Sequence, residues 1–141
     1  MEVRLECLWG TVNEIATKFL KIKNNMDINN LKETIKPFFW VEHGNSFSVC
    51  LDAGSYKQEI FDARAEEGFE GSGYDWGSLA QVFLEEKRPD LSDSIRFDPE
   101  GGMFCVYSSD SDQLKDFILD FKKTCEDESV IMDLFSRAEL D

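Results

Sequence analysis

The stretch "PFFWVEHGNSFSVCLDAG", residues 37–54, contains the clearest secondary-structure pattern in the chain. Two runs rich in aromatic and β-branched residues flank Gly44-Asn45, and such runs favour β-strands. A two-residue loop with glycine first is typical of the type II′ turn of an antiparallel hairpin. The predicted register pairs Trp40 with Val49 and Phe38 with Leu51 on one face of the sheet, with Phe39, Val41 and Cys50 on the other. The sequence therefore predicts a β-hairpin here.

Outside this hairpin, apolar and polar residues alternate in some segments and follow helical spacing in others. Strands are predicted at residues 3–9, at residues 56–61 and in a second hairpin, residues 94–108. Helices are predicted at residues 12–24, from Asp27 to Ile35, from Asp75 to the stop at Pro89, after the cap Asp110, and after Glu126-Asp127-Glu128. This order predicts an α+β fold, with a largely antiparallel sheet of about five to six strands and three to four packed helices.

Length and composition favour one domain over residues 1–141, because a chain of this size buries one sizeable core. No apolar run reaches the ~18 residues that a membrane span needs, and the first ten residues do not resemble a secretion signal. We therefore expect a cytoplasmic protein. The spacing of the four cysteines, Cys7, Cys50, Cys105 and Cys125, matches no zinc or redox motif, so they are predicted to be buried, reduced thiols.

The charge is strongly negative and unevenly distributed. The formal net charge is −14, and residues 1–40 hold six Lys/Arg and five Asp/Glu, so residues 41–141 carry −15. Nucleic acid and anionic membrane surfaces would be repelled, since their binding partners need basic faces. A basic protein partner would be attracted.

Residues 62–74 are predicted to form an acidic, glycine-rich loop before the helix that starts near Asp75. A dinucleotide site is disfavoured because Gly77 comes one residue too late for the GxGxxG pattern, and no GK[ST] motif occurs. Asp75 is predicted at the N-cap, where its carboxylate satisfies the free N–H groups. Nearby carboxylates would repel a phosphate by roughly 3 kcal/mol for each pair of charges about 6 Å apart, at an effective dielectric constant of about 20. No cofactor is predicted.

Signals for catalysis or metal binding are weak. His43, the only histidine, is expected at the surface beside the hairpin turn, opposite Ser46. Asp110-Ser111-Asp112 lacks the later ligands of a calcium loop, and capping of a helix explains Asp110. With 29 Asp and Glu residues, some pair of carboxylates always lies within reach, so such pairs carry little information. A small carboxylate-based enzyme or small-molecule binder remains an alternative; it predicts a deep pocket with carboxyl groups of raised pKa.

The segment Tyr74-Asp75-Trp76 contains the strongest candidate contact. Trp76 begins an apolar helical stripe and is predicted to be core, whereas Phe69 and Tyr74 follow no periodic pattern that would bury them. Exposed rings among carboxylates suit a protein interface. The candidate partner-binding residues are Glu66, Glu67, Phe69, Glu70 and Tyr74. In the alternative interpretation, either ring folds back onto the sheet and fixes the loop.

Four ordered blocks carry a family resemblance: "CLDAGSY", "AEEGFEGSGYDWGSLAQVFLEEK", "IRFDPEGGMFCVYS" and "DLFSRAELD". Together they resemble the Immunity protein 51 family of bacterial polymorphic toxin systems, over roughly residues 37–141. The resemblance implies a non-enzymatic cytoplasmic protein that binds and blocks a cognate toxin domain, in some cases a basic nuclease. The motif positions are Gly71, Gly73, Tyr74, Asp75 and Trp76; all except Tyr74 are expected to shape the loop rather than contact the toxin. An adaptor that binds no toxin is the remaining alternative.

Overall fold

The computed structural model describes residues 28–140. In chain order the elements are α1 (Ile28–Thr34), β1 (Phe39–His43), β2 (Ser46–Asp52), α2 (Gln58–Asp62), α3 (Gly73–Lys87), β3 (Arg96–Phe97), β4 (Met103–Ser108), α4 (Ser111–Cys125) and α5 (Glu128–Phe135), with short 3-10 helices at Ala65–Glu67 and Pro89–Leu91. The predicted strand at residues 3–9, the predicted helix at residues 12–24, Cys7 and the predicted cap Asp27 lie outside the described residues.

The described part of the chain forms one antiparallel sheet of four strands in the order β1-β2-β4-β3. The register predicted for the first hairpin is confirmed, with Trp40 opposite Val49 and His43 opposite Ser46. Gly44 has φ 57°, as a type II′ turn requires at its first loop position. The α+β class is therefore confirmed, and residues 28–140 contain four strands, where five to six were expected for the whole chain.

The strand predicted at residues 56–61 is wrong. The chain instead turns through Lys57, which has φ 52°, and forms α2. Ile60 and Phe61 are consecutive and both buried. Consecutive side chains of a strand point to opposite faces, whereas neighbouring helical positions can both reach the same core.

The core lies between the sheet and the helices α3 and α4, which pack on one of its faces. Both predicted apolar stripes are buried: Trp76, Leu79, Ala80 and Phe83 of α3, and Leu114, Phe117, Ile118, Phe121 and Cys125 of α4. The Trp76 ring is the centre of an aromatic cluster and packs against Phe38, Tyr56, Phe61, Phe104 and Phe121. The prediction that Trp76 belongs to the core is confirmed.

The last two helices begin at aspartate caps. Asp110, the predicted cap of α4, accepts a hydrogen bond from the backbone N–H of Gln113 at 3.1 Å. Asp127 caps α5 in the same way. The helix α5 then packs against α3 and α4, so the residues that follow it lie near the start of α3. None of the helices within residues 28–140 combines the length and apolar character needed to cross a bilayer.

Candidate partner-binding surface

The glycine-rich loop folds around the carboxylate of Asp75. One oxygen, Oδ2, accepts hydrogen bonds from the backbone N–H groups of Glu70 at 2.7 Å, Gly71 at 2.8 Å and Ser72 at 3.2 Å. Asp75 is only 4% exposed. Hydrogen bonds from several N–H groups to a buried carboxylate are strong, so the Asp75 carboxylate holds the loop in this conformation. These N–H groups are therefore unavailable to an external phosphate.

The N-cap of α3 is Ser72, not Asp75 as predicted from the sequence. The Ser72 hydroxyl accepts from the Asp75 N–H at 3.2 Å, and Asp75, three residues later, accepts from the Ser72 N–H, which completes a capping box. Serine and aspartate are both good caps, so the sequence alone could place the helix start at either residue. The helix consequently begins at Gly73, two residues earlier than predicted.

Two motif glycines shape this region. Gly71 has φ 83°, a conformation that favours glycine. A Cβ atom at Gly73 would lie 1.9 Å from the carbonyl oxygen of Glu100 and 2.2 Å from that of Met103. The first turn of α3 therefore lies directly on the loop of the second hairpin, and the Gly73 N–H donates to the Gly101 carbonyl at 3.1 Å.

Phe69 was predicted to be an exposed aromatic residue, and this is wrong. The side chain is 2% exposed, and its ring packs edge-on against Phe135 of α5 with the centroids 4.9 Å apart. The guanidinium of Arg64 lies 4.4 Å from the Phe69 ring centroid. The ring therefore fixes the loop, as in the alternative interpretation, but against α5 rather than against the sheet.

Arg64 connects the loop to the end of α5 and neutralises one candidate residue. Its guanidinium donates to both carboxylate oxygens of Glu67, at 2.7 and 2.8 Å, and also to the carbonyls of Phe135 and Ala138. The hydrogen bonds from Arg64 lower the pKa of the Glu67 carboxyl. Of the three predicted loop glutamates, Glu67 is therefore occupied by Arg64, while Glu66 and Glu70 are exposed without an ion pair within residues 28–140.

Tyr74 is 47% exposed and lies where two clefts meet. The larger cleft, about 530 Å³, lies between α3, the loop before β4 and residues 137–140; the smaller, about 430 Å³, lies beside the glycine-rich loop. Leu140, 50% exposed, lines both clefts with Tyr74. Side chains that complete the larger cleft include Val82, Phe97, Pro99, Glu85 and Glu139.

We call the set Tyr74, Leu140, Glu70, Glu85 and Glu139 the Tyr74 surface. Its three glutamates are exposed and form no ion pair within the described part of the chain. The cation that lines the larger cleft, Arg137, is bound by the carboxylates of Glu86 at 2.7 Å and Asp133 at 2.8 Å. Arg137 carries one positive charge and its two partners carry two negative charges, so this group keeps a net negative charge. The surface therefore combines apolar area with a negative potential.

Sequence reasoning found Tyr74 and Glu70 but missed the other members of the Tyr74 surface. The sequence pattern identifies Glu85 only as one residue of the helix α3. Glu139 and Leu140 come after the last predicted helix, where no pattern marks them. The available signal was the final block "DLFSRAELD", in which Leu140 falls beyond the helical stripe. Its position opposite Tyr74 depends on the packing of α5, which sequence spacing does not reveal.

Several carboxyl groups have a pKa that departs from its ordinary value. A general acid needs a carboxyl of raised pKa, as burial without a cation produces. Five carboxyl groups of the described residues have a lowered pKa beside an arginine or lysine: Glu67, Glu86, Asp90, Glu126 and Asp133. Between residues 28 and 140, no three His, Cys, Asp or Glu side chains are grouped so that they could hold a metal ion.

His43 and the described cysteines lie outside this surface. His43 is exposed at the end of β1, as predicted. Cys50 and Cys125 are buried free thiols, also as predicted, while Cys105 is half-buried. None of these residues lines either cleft.

Comparison with known proteins adds one finding to this geometry. The family model described as Immunity protein 51 matches residues 38–140, which is most of the chain. No curated protein and no solved structure matches the chain. The matched region contains every residue of the Tyr74 surface.

Proposed function

The chain belongs to the Immunity protein 51 family, and from this premise we propose that it binds a cognate toxin domain and neutralises it inside the cell that makes both proteins. It acts in the cytoplasm by binding, without catalysing a reaction. The Tyr74 surface contacts the toxin, and Glu66 at the edge of the loop adds to its negative charge.

The observation that carries the choice of surface is the exposure of Tyr74 between two clefts lined by glutamates that form no ion pair with any residue from 28 to 140. Tyrosine is enriched at interfaces because its ring offers a large apolar area at a small loss of conformational entropy. Carboxylates around such a ring steer a basic partner towards it and disfavour acidic partners. Asp75, Gly71 and Gly73 hold the loop and helix start in place, so Tyr74 is presented by a rigid support.

The partner that fits this surface is a toxin domain with a basic active-site face. A nuclease has such a face, because it must bind the phosphates of its substrate. The Tyr74 surface occupies that face in place of the nucleic acid and excludes the substrate. Neutralisation then follows from occlusion and requires no chemical change in either protein.

Co-expression tests the function. The toxin encoded beside this chain is expressed in a susceptible host with and without the wild-type protein. We expect growth only when both are present, and we expect the two proteins to co-purify. Survival that does not depend on this protein, or isolation of the chain with an unrelated cellular protein and no toxin, would favour the adaptor interpretation.

Variants test the surface. Tyr74→Ala and the triple change Glu70→Gln, Glu85→Gln and Glu139→Gln should each weaken toxin binding at least tenfold, measured by calorimetry. The matched controls are Tyr107→Ala, an exposed tyrosine on the sheet, and Asp93→Asn with Asp112→Asn, exposed carboxylates near the other end of α3. If controls and surface variants bind equally well, the toxin contacts another face.

A further inference from the structure

Two cysteines face each other across the central strands of the sheet. Cys50 of β2 and Cys105 of β4 are direct partners in the antiparallel register, and both are free thiols. Their sulfur atoms are 2.8 Å apart, within hydrogen-bond distance. Directly opposite residues of antiparallel strands have Cβ atoms roughly 4.5–5.5 Å apart, which leaves little rearrangement before the two sulfurs can be bonded.

The pair lies on the sheet face away from α3 and α4. Neighbours of the two cysteines along each strand, such as Val49 and Phe104, are buried against the helices. Side chains alternate along a strand, so Cys50 and Cys105 point the other way. Cys50 is 7% exposed and Cys105 is more open, so an oxidant in solution meets Cys105 first.

We propose that Cys50 and Cys105 form an oxidation site that reacts with small-molecule disulfides such as oxidised glutathione and closes to a disulfide between β2 and β4. This inference is independent of the proposed function. In a reducing cytoplasm the pair stays as two thiols, and in an oxidising medium the central strands become covalently joined.

The reaction consists of two successive thiol–disulfide exchanges. The Cys105 sulfur attacks one sulfur of the small disulfide and gives up its proton, so that a mixed disulfide forms and one small thiol leaves. The Cys50 sulfur then attacks the Cys105 sulfur and displaces the second small thiol. The protein loses two protons and two electrons, and the small disulfide gains them as two thiols.

The surroundings of Cys50 set the order of these exchanges. Burial, and then the hydrogen bond and charge of Cys105, raise the pKa of Cys50 to about 12, so Cys50 stays protonated in the reduced pair. Cys105 is also the more open of the two sulfurs, so it is the first nucleophile. After the first exchange the Cys105 sulfur is held in a mixed disulfide directly beside Cys50. The second attack is intramolecular between adjacent sulfurs, which favours closure.

The test uses the full-length wild-type chain, incubated with oxidised glutathione and analysed by intact mass and peptide mapping without reduction. We expect a mass lower by two hydrogen atoms and a single linked peptide pair that contains Cys50 and Cys105. Cys125→Ser, a buried thiol in α4, should react like the wild type. Cys50→Ser should stop at a stable glutathione adduct on Cys105. The oxidised wild type should melt several degrees higher than the reduced form, since the cross-link restricts the unfolded chain.

Three results would overturn the proposal: a wild-type protein that keeps all its thiols, links that involve Cys7 or Cys125 instead, or a Cys50→Ser variant that loses two hydrogen atoms as the wild type does. If Cys50→Ser does not fold, the wild-type mass and peptide map still decide, because they identify the linked residues directly.

Discussion

Single residues determine the conformation of the loop that presents Tyr74. The Asp75 carboxylate accepts the N–H groups of three consecutive residues, and Gly73 allows α3 to touch the second hairpin. Both contacts involve backbone atoms, which cannot move aside as a flexible side chain can. Changes at these two positions should therefore alter stability far more than changes at exposed residues nearby.

Replacing Asp75 by asparagine should lower the free energy of unfolding by about 1–3 kcal/mol, because a neutral amide oxygen accepts hydrogen bonds more weakly than a carboxylate oxygen. Urea denaturation measures the difference. Asp93→Asn is the matched control. Asp93 is exposed, and its carboxylate accepts no hydrogen bond within the described residues, so this change should alter stability by less than about 0.5 kcal/mol. Equal stability of both variants would show that the Asp75 hydrogen bonds contribute little.

Gly73→Ala should destabilise the fold by about 3 kcal/mol, since the added methyl group meets the carbonyl oxygens of Glu100 and Met103 and forces the hairpin away from α3. Gly77→Ala is the matched control in the same helix, where the nearest atom to the new Cβ is a Pro99 side-chain carbon at 3.4 Å. Alanine is the better helix former, so this change should stabilise by up to about 1 kcal/mol. Thermal melts of the two variants should therefore shift in opposite directions.

At the scale of elements, ion pairs join helices that are distant in sequence. Glu126, at the end of α4, pairs with Lys57, at the start of α2, at 3.0 Å, and also with Lys122 of α4. The hydrogen bonds from the two lysines lower the pKa of the Glu126 carboxyl to about 2. This pairing holds α2 in the position where the sequence had predicted a strand.

The Glu126 contribution should depend on pH. The folded-state pKa of about 2 lies below the ordinary 4.5, so the stabilisation is fully present above pH 4.5 and is lost as the pH falls through about 2. Glu126→Gln should lower the free energy of unfolding by up to about 1 kcal/mol at pH 7, a modest value because the side chain is 47% exposed. Urea titrations between pH 7 and pH 2 should show this difference shrinking. Glu100→Gln, at an exposed hairpin position, is the control.

The elements that the sequence predicted well are those with local patterns. The first hairpin has its turn and its apolar residues within residues 37–54, and α4 has its cap and its buried stripe within residues 110–125. The element α2 has only five residues, too few for helical spacing to be distinguished from alternation. Its identity comes from the burial of Ile60 and Phe61 against partners elsewhere in the chain.

At the scale of the whole molecule, the negative charge should govern how fast a basic partner binds. The association rate of the wild-type protein with its toxin should fall about 10- to 100-fold between low salt and about 1 M salt, where the screening length is ~3 Å. Stopped-flow mixing measures this rate. The triple glutamine variant of the Tyr74 surface should show a flatter dependence, and dissociation should respond less to salt. A rate independent of salt would mean that the interface is essentially apolar.

Features that depend on neighbours within about one helix or hairpin could be predicted from the sequence: the α+β class, the first hairpin and its register, the buried stripes, the acidic balance and the family blocks. The tertiary structure alone decided that Phe69 is buried, that Glu67 is neutralised and that Leu140 and Glu139 lie beside Tyr74. The physical reason is distance along the chain. Burial and ion pairing depend on atoms that folding brings together from distant parts of the chain. Arg64, for example, donates a hydrogen bond to the carbonyl of Phe135, which lies 71 residues later in the sequence.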